Sequence, residues 1–364
     1  MVNAVSESVW KGRRVFLTGH TGFKGSWLTL WLHKMGATVC GYSLAPPSSP
    51  NLFQVARIGE LIEHVEGDVC DQQKLQAVMR NFAPDVVLHL AAQSLVRRSY
   101  EEPVLTYATN VMGTVNVLES IRNTKSVKAA VMVTTDKCYE NREWHWGYRE
   151  NDRLGGHDPY SNSKACAELV SASYRDSFFP PAKLGSHGVA VATARAGNVI
   201  GGGDWACDRL IPDLMRGFVA KEDVLIRNPE AIRPWQHVLE PLRGYLQLAE
   251  KLLLEDADFA SAWNFGPAEE DARPVKWIVE EIARQWSPTA SWTIDERPHP
   301  HEATYLKLDC ARARNLLGWS PALSLSDALR LIVEWYKHWQ TGADMRQITL
   351  DQIEAYQQLS SSRR

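Results

Sequence analysis

The chain has 364 residues, 45% of them hydrophobic, which is enough for two domains with a sizeable core. Its net charge of -3 is spread without a long basic block, which argues against nucleic acid as a partner. The six cysteines show no zinc-binding spacing, and no apolar run reaches the ~18 residues of a membrane span. We therefore expect a cytoplasmic protein with reduced thiols that binds no metal, nucleic acid or membrane.

A short apolar strand, Arg13 to Thr18, leads into a glycine-rich turn and then into a helical pattern from Ser26 to Met35. This order is the context of a dinucleotide-binding site. Glycine lets the backbone approach a pyrophosphate, and a helix N-terminus supplies free N–H groups. The alternative is a glycine turn of purely structural use. The spacing is Gly-x-x-Gly-x-x-Gly, and the predicted cofactor-binding residues are Gly19, Thr21, Gly22, Phe23, Lys24 and Gly25.

The next two strands predict where the adenosine half of the cofactor lies. Strand Thr38 to Ser43 ends without the acid that usually holds the ribose of NAD, and without an arginine that would favour NADP. This position therefore leaves the two cofactors undistinguished, and Ser43 offers a weaker hydrogen bond. A third strand, Leu61 to Glu66, precedes Asp68 and Val69. Asp68 could accept from an adenine amino group, or it could be an ordinary exposed loop acid.

A fourth strand, Asp85 to Leu90, is almost continuously apolar, as in a parallel strand that is covered on both faces. It ends in small residues that let a cofactor pass close to the backbone, so Leu90, Ala91 and Ala92 join the predicted cofactor site. Ala129 to Val133 and Val189 to Thr193 are the fifth and sixth strands.

The fifth strand is followed directly by Thr134-Thr135-Asp136-Lys137-Cys138-Tyr139. A hydroxyl, an acid and an amine thus stand at the carboxyl end of a strand, where ligands bind in open α/β sheets.

Tyr160 and Lys164 are four residues apart, so on a helix they share one face. Asp158 and Pro159 are typical of an N-cap and a first-turn proline. A lysine ammonium beside a phenol favours the phenolate, which predicts Tyr160 as a base with Lys164 beside it. Because Tyr-x-x-x-Lys also occurs by chance, its interpretation as a catalytic pair depends on the motifs that precede it.

The strand–helix alternation weakens after the sixth strand. Helices are predicted at Pro241 to Leu254, Lys276 to Gln285 and Leu325 to Trp339. The later arginines suit phosphates, because guanidinium offers a fixed fork of donors, but each could equally form a surface ion pair.

These patterns predict an α/β fold, with a Rossmann-type doubly wound parallel sheet and a smaller discontinuous C-terminal substrate-binding lobe. The NAD-binding domain takes residues 1–194 plus about 237–262. The lobe takes about 195–236 plus 263–364.

The motifs Gly19-x-x-Gly22-x-x-Gly25, Leu90-Ala91-Ala92, Thr134-Thr135-Asp136 and Tyr160-x-x-x-Lys164 resemble those of the extended short-chain dehydrogenase/reductase superfamily. Within it, nearly the whole chain is similar to nucleotide-sugar 4,6-dehydratases, most of all to the branch that acts on CDP-glucose. The stretches Trp146 to Asn151, Gly201 to Trp205 and Ile232 to Val238 carry this closer resemblance.

The resemblance implies NAD as cofactor and conversion of CDP-glucose to CDP-4-dehydro-6-deoxy-glucose plus water. That step leads towards deoxy sugars of surface polysaccharide such as O-antigen in lipopolysaccharide. It also implies catalytic roles for Thr135, Asp136, Lys137, Tyr160 and Lys164. The substrate-binding residues that it implies are Thr135, Asn198, Arg209, Arg233, His237, Asn264, His301 and Glu302.

The resemblance further implies the steps that these residues carry out. Tyr160 takes the O4 proton, Thr135 hydrogen-bonds O4, and Asp136 donates to the leaving C6 hydroxyl. Lys137 stands where the dTDP-glucose and GDP-mannose enzymes have a glutamate, and it is the candidate base for the C5 proton. It can serve only when neutral, so the hypothesis requires a lowered pKa.

We also expect a homodimer or homotetramer, formed through the helices around 103–122 and 160–178. The alternative is that these apolar faces pack only on their own sheet.

Two other functions remain open. Another nucleotide-sugar dehydratase or a 4-epimerase would share the glycines and Tyr160/Lys164, and an epimerase would not need Asp136 and Lys137. A non-catalytic NAD-binding regulatory module would bind the cofactor without turning over any nucleotide sugar, since fold alone does not give function.

Overall fold

The computed structural model describes residues 5–254, 257–295, 297 and 305–362. Its strands are β1 (Arg14–Thr18), β2 (Thr38–Ser43), β3 (Glu63–Glu66), β4 (Val86–His89), β5 (Ala129–Val133), β6 (Ala190–Ala196), β7 (Asn198–Ile200), β8 (Val224–Ile226), β9 (Ile232–Arg233), β10 (Trp235–His237), β11 (Ala262–Phe265), β12 (Arg273–Pro274) and β13 (Trp292–Ile294).

The α-helices are α1 (Glu7–Trp10), α2 (Phe23–Lys34), α3 (Leu52–Val55), α4 (Gln72–Phe82), α5 (Val96–Glu101), α6 (Pro103–Tyr107), α7 (Gly113–Arg122), α8 (Pro159–Ser177), α9 (Leu184–His187), α10 (Leu210–Ala220), α11 (Leu239–Leu253), α12 (Val275–Trp286), α13 (Leu325–Gln340) and α14 (Met345–Ser362).

A seven-stranded sheet with the order β11-β6-β5-β4-β1-β2-β3 forms the centre of the fold. All of its paired strands are parallel. Both faces are covered: in β1, Val15 and Leu17 belong to one apolar cluster, which includes Trp27 of α2, and Phe16 belongs to another, which includes Val117 of α7. This arrangement confirms the predicted Rossmann-type doubly wound sheet.

The predicted helix around 103–122 is interrupted by a π-helical turn, Ala108–Met112, between α6 and α7. The turn directs Asn110 inward, where its amide accepts from Gln93 N and donates to Gln93 O, both at 2.9 Å. Asn110 also donates to Ser163 Oγ of α8 at 2.9 Å. One turn therefore joins the segment after β4 to helix α8.

The second part of the chain forms three two-stranded sheets, β7 with β10, β8 with β13 and β9 with β12. The predicted domain boundaries at 194 and 262 fall inside β6 and β11, both of which belong to the central sheet. The first boundary follows from the sequence pattern because a buried charged residue, Arg195, ends the apolar run of β6. A division that keeps both strands whole runs after Ala196 and after Phe265.

Among the described residues, no helix is long and apolar enough to cross a membrane.

Candidate active site

In the glycine turn between β1 and α2, Gly19 and Gly25 are packed so closely that neither position has room for a side chain. Gly19 has φ +78°, and a Cβ there would lie 2.7 Å from Ala91 N. A Cβ on Gly25 would lie 2.1 Å from Gly19 O. Gly22 is the N-cap of α2, so the free N–H groups of the helix begin at this turn. The predicted residues thus form a backbone cradle of the kind that binds phosphates.

A buried histidine, His89 on β4, helps to hold the residues after β4 beside this cradle. It was not predicted from the sequence. The Thr114 hydroxyl donates to Asn110 O at 2.7 Å, so His89 Nε2 donates to Thr114 Oγ1 and Nδ1 is left as an acceptor. Thr18 donates to His89 Nδ1 at 2.7 Å, and its oxygen accepts from Leu90 N and Ala91 N, both at 3.2 Å. Burial, with Lys164 nearby, lowers the pKa of His89 to about 3, so the ring is neutral.

Ser43 stands at the end of β2 beside the glycine turn, but its hydrogen is used within the protein. The Thr21 hydroxyl donates to Leu44 O at 2.9 Å, so the Ser43 hydroxyl donates to Thr21 Oγ1 at 2.8 Å. Ser43 can therefore offer a ligand its oxygen as an acceptor while that bond holds.

Asp68 and Val69 follow β3, at the edge of the sheet that we predicted for adenine. The Asp68 carboxylate accepts from Cys70 N at 2.9 Å and remains partly exposed. Val69 is buried, and a Cβ on Gly113 would lie 2.7 Å from its Cγ2. Val69 thus packs under α7, while Asp68 has acceptor capacity left.

The turn after β5 places the predicted acid in a buried position. Thr135 caps the 3₁₀ turn Asp136–Cys138 by accepting from Lys137 N at 3.3 Å, and its hydroxyl donates to Asp136 Oδ1 at 3.0 Å. Asp136 is 1% exposed, and burial raises the pKa of its carboxyl, although the neighbouring Lys137 opposes this. A raised pKa favours the protonated form, which can donate.

Helix α8 begins as predicted, with the Asp158 carboxylate accepting from Ser161 N at 2.9 Å. The expected effect of Lys164 on Tyr160 is wrong for this structure. Burial raises the pKa of Tyr160 to about 12, despite a hydrogen bond with Thr135 that lowers it. Lys164 Nζ instead donates to Val133 O at 3.3 Å, and burial lowers its pKa to about 8. Thr135 and Arg209 lower the pKa of Tyr160, and burial outweighs them.

Lys24 interacts with the side chains of Lys164, Arg209 and Asp136, although the sequence placed it only in the glycine turn. Its Nζ donates to the hydroxyl of the buried Tyr245 at 3.2 Å. Burial, then Lys164 and Arg209, lower the pKa of Lys24 to about 7, and Asp136 opposes them. No motif predicts this contact, because Tyr245 comes from α11, far along the chain.

Two of the predicted arginines approach the same group from the second part of the chain. Arg209 forms an ion pair with Asp204 at 3.1 Å and donates to Ser94 Oγ at 3.0 Å, which spans from the segment before α10 to the segment after β4. Arg209 also lowers the pKa of Tyr160, and Arg233 on β9 lowers that of Asp136. Asn198 lies partly buried on β7.

Two other residues that we predicted to bind the substrate, His237 and Asn264, are buried. His237 is 1% exposed, its Nδ1 accepts from Leu239 N at 3.4 Å, and burial lowers its pKa to about 3. Asn264 is 0% exposed, and its amide donates to Tyr148 O and Asp309 O and accepts from Tyr139 Oη. His301 and Glu302 lie outside the described residues.

A glycine cradle at the first crossover of a doubly wound sheet, with Tyr160 and Lys164 on a helix beside a Thr-Asp turn, defines an extended short-chain dehydrogenase/reductase. The chain belongs to the GDP-mannose 4,6 dehydratase family, whose sequence model matches residues 16–332.

Curated relatives match almost the full length. A CDP-glucose 4,6-dehydratase of Salmonella typhimurium is 56% identical over 341 residues, which are 94% of this chain and 95% of that protein. A dTDP-glucose 4,6-dehydratase of Streptomyces griseus is 26% identical over 89% of this chain and 94% of that protein.

Solved structures share the fold at lower identity. A dTDP-glucose 4,6-dehydratase of Streptomyces venezuelae, solved with NAD and TYD bound, has a TM-score of 0.75 and 22% identity over 91% of this chain and 98% of its own. A UDP-glucose 4-epimerase of Thermotoga maritima with UDP-glucose has a TM-score of 0.74 and 21% identity over 90% and 99%.

Proposed function

We propose that this protein is a lyase that converts CDP-glucose to CDP-4-dehydro-6-deoxy-glucose and water. The observation that carries the proposal is 56% identity, over 94% of the chain, to the Salmonella CDP-glucose 4,6-dehydratase. The buried pair of Asp136 and Tyr160 beside Lys137 supports an elimination chemistry.

We infer that NAD is the cofactor. The support is the cradle of Gly19 and Gly25, where a Cβ would collide with backbone, together with the N-terminus of α2. The residues that would hold it are Gly19, Thr21, Gly22, Phe23, Lys24, Gly25, Ser43, Asp68, Val69, Leu90, Ala91, Ala92, Tyr160 and Lys164. NAD supplies the hydride acceptor for the sugar's C4 and the donor for its C6, so no net redox change occurs.

Tyr160 and Thr135 serve the oxidation at C4. Tyr160 removes the O4 proton, and Thr135 hydrogen-bonds O4 and steers the phenol. Because burial holds the pKa of Tyr160 at about 12, the phenol depends on nearby positive charge to act as a base. Lys164 and Arg209 are the cations that can supply it.

Asp136 and Lys137 serve the elimination. The C4 ketone acidifies the C5 proton, and Lys137 is the proposed acceptor of that proton. Asp136 donates its proton to the C6 hydroxyl, so the bond from C6 to oxygen breaks and water leaves. The raised pKa of the buried Asp136 supports this role, because its carboxyl keeps its proton nearer to neutral pH.

Arg209 and Arg233 are the proposed pyrophosphate ligands, and Asn198 on β7 pairs with Trp235, two residues after Arg233. Guanidinium groups suit a pyrophosphate because they present two parallel donors. We propose that residues 197–236 and 266–364 form the lobe that binds the sugar nucleotide, and that the remaining residues form the NAD-binding domain.

The proposal is tested by incubating the purified protein with NAD and, separately, with CDP-, dTDP-, UDP- and GDP-linked sugars. Mass spectrometry should show the loss of one water from CDP-glucose alone. Water loss from another nucleotide sugar would overturn the base specificity but keep the reaction. An isomer of unchanged mass would indicate an epimerase. Cofactor binding without turnover of any of these sugars would favour a regulatory module.

We also propose a homodimer or homotetramer formed through the helices around 103–122 and 160–178. Large apolar side chains are exposed there, with Val104 at 82%, Met112 at 52% and Leu169 at 58%. Leu169→Glu should reduce the mass measured by light scattering to that of the monomer. Leu254→Glu, at a 68% exposed leucine after α11, is the matched control and should leave the mass unchanged. A monomeric parent protein would contradict the proposal.

The proposed location is the cytoplasm, and the keto sugar would feed the synthesis of deoxy sugars for surface polysaccharide such as O-antigen. Fractionation of cells that express the protein tests the location.

A further inference from the structure

Helix α8 carries a third buried titratable residue, Glu168, on the face of Tyr160 and Lys164. Glu168 lies four residues after Lys164, just as Lys164 lies four after Tyr160, so the three side chains share one face. Glu168 is 3% exposed and Lys164 is 6% exposed. The mechanism above gives Glu168 no part.

The Glu168 carboxylate is fully engaged with the strands beneath the site. It accepts from the hydroxyl of Thr134, from the hydroxyl of Thr193 at 2.7 Å and from Arg195 NH2 at 2.8 Å. Thr134 immediately precedes the catalytic Thr135. One turn earlier, Lys164 Nζ donates to Val133 O at 3.3 Å. Successive turns of α8 therefore hold two successive residues at the carboxyl end of β5.

Glu168 also balances the charge of Lys164. The groups that face Lys164 are Glu168 on its own helix, Cys138 after β5, Lys24 on α2 and His89 on β4. Lys24 cannot carry a negative charge, and His89 is neutral. Burial raises the pKa of the Cys138 thiol well above its usual value, which keeps the thiol protonated. Glu168 is thus the anion of this group.

The opposite side of Glu168 leads away from the site through Arg195. The two side chains form a buried ion pair, and Arg195 NH1 donates to Tyr139 Oη at 2.6 Å and to Glu150 O at 3.0 Å. Removing Arg195 would therefore leave the Glu168 charge to act on Lys164 alone.

We propose that Glu168 is a positioning residue for the reaction, whose buried carboxylate keeps Lys164 protonated beside Tyr160 and holds Thr134, and with it Thr135, at the end of β5. The inference rests on the proposed function in so far as that reaction uses Tyr160, Thr135 and Lys164.

The test uses two variants that should act in opposite directions. Glu168→Gln removes the negative charge, so the alkaline limb of the kcat/KM profile with CDP-glucose should move to lower pH by about one unit. Arg195→Met leaves Glu168 charged without its arginine, so the limb should move to higher pH. Thr193→Val removes one hydrogen bond and no charge, and it should leave the limb in place.

A second readout needs no ligand. The pKa of Lys164 in the folded protein, about 8, lies below its ordinary value, so stability rises with pH once pH exceeds the folded pKa. In urea unfolding between pH 6 and 10, Glu168→Gln should start this rise at lower pH. If the parent protein does not turn over CDP-glucose, the proposed function fails, and the unfolding series still tests Glu168.

Glu168→Gln leaves Arg195 as a buried unpaired cation, which can prevent folding. In that case Glu168→Gln/Arg195→Met, which removes both charges, is measured, and it should still lower the alkaline limb. Identical pH dependence in all variants, with only a loss of stability or rate, would make Glu168 an ordinary structural residue and overturn the proposal.

Discussion

At the scale of single residues, burial decides how the candidate site can react. It raises the pKa of Tyr160 to about 12 and that of Asp136 above its ordinary value, and it lowers the pKa of Lys24 to about 7. Each shift favours the neutral form, as desolvation requires. The residue types and their order were readable from the sequence. Their protonation was not, because it depends on which distant side chains cover them.

Tyr160→Phe removes the hydroxyl that we propose as the base for O4. Turnover of CDP-glucose should fall by ~10²-fold or more, because that is the usual worth of one positioned proton transfer. Binding of CDP-glucose, measured by calorimetry, should be nearly unchanged. Tyr174→Phe, on the same helix but outside the site, is the matched control. Near-normal turnover in Tyr160→Phe would remove it from the mechanism.

Lys137→Met tests the base for C5. Exchange of the C5 hydrogen with solvent deuterium, followed by mass spectrometry, should slow by ~10²-fold or more, while the Kd for CDP-glucose changes little. Lys128→Met, at a lysine just before β5, controls for the loss of one positive charge. Equal losses in exchange and in binding would make Lys137 a substrate-binding residue.

At the scale of elements, the sequence predicted what periodicity and capping determine. It predicted β2 and β5 with their observed bounds and the N-cap of α8, because apolar runs and an Asp-Pro pair are local signals. It missed β11, whose four residues include a buried asparagine. It also missed α10, because Pro212 in the first turn is tolerated there but resembles a helix breaker in sequence.

The substrate-binding residues were harder to predict from the sequence than the residues of the glycine turn. Gly19 and Gly25 follow from the spacing of glycines in one short turn between a strand and a helix. His237 and Asn264 were assigned by resemblance alone, and their side chains are turned into the core by β10 and β11. A sequence pattern does not give the direction of a side chain in strands as short as these.

Asp158→Ala removes the cap of α8. The loss of the bond to Ser161 N should lower the free energy of unfolding by about 0.5–2 kcal/mol and reduce turnover, because Tyr160 lies in the first turn. Asp71→Ala removes the same kind of cap, to Lys74 N, from α4, away from the site. Urea unfolding should show similar losses for both, and turnover should fall only for Asp158→Ala. Similar turnover losses would contradict the positioning role of the cap.

At the scale of the whole molecule, the amino-terminal helix is fastened to the core by a carboxyl group. Glu250 of α11 accepts from Ser6 N and from Trp10 Nε1, both at 2.7 Å, and Trp10 is fully buried. Burial raises the pKa of Glu250 to about 7. A raised carboxyl pKa means that the stability is fully present below pH 4.5 and declines as pH rises towards 7.

Glu250→Gln keeps an acceptor for both donors and cannot ionise. At pH 8 this variant should therefore be more stable than the parent by about 1–3 kcal/mol, and the difference should vanish near pH 4. Urea unfolding at several pH values measures it. Glu354→Gln, at an exposed helical position, is the control and should show no such trend. Lower stability of Glu250→Gln at pH 8 would contradict the effect of burial.

The π-helical turn Ala108–Met112 has a consequence for how the protein behaves on dilution. Asn110 on this turn holds the segment beside the cradle, while Met112 on the same turn is 52% exposed on the face proposed for subunit contact. This one turn therefore contacts the segment beside the candidate site and also contributes to the face proposed for subunit contact. In the proposed homodimer or homotetramer, separation of the subunits would remove the support behind Asn110, so specific activity should decline together with the assembled fraction.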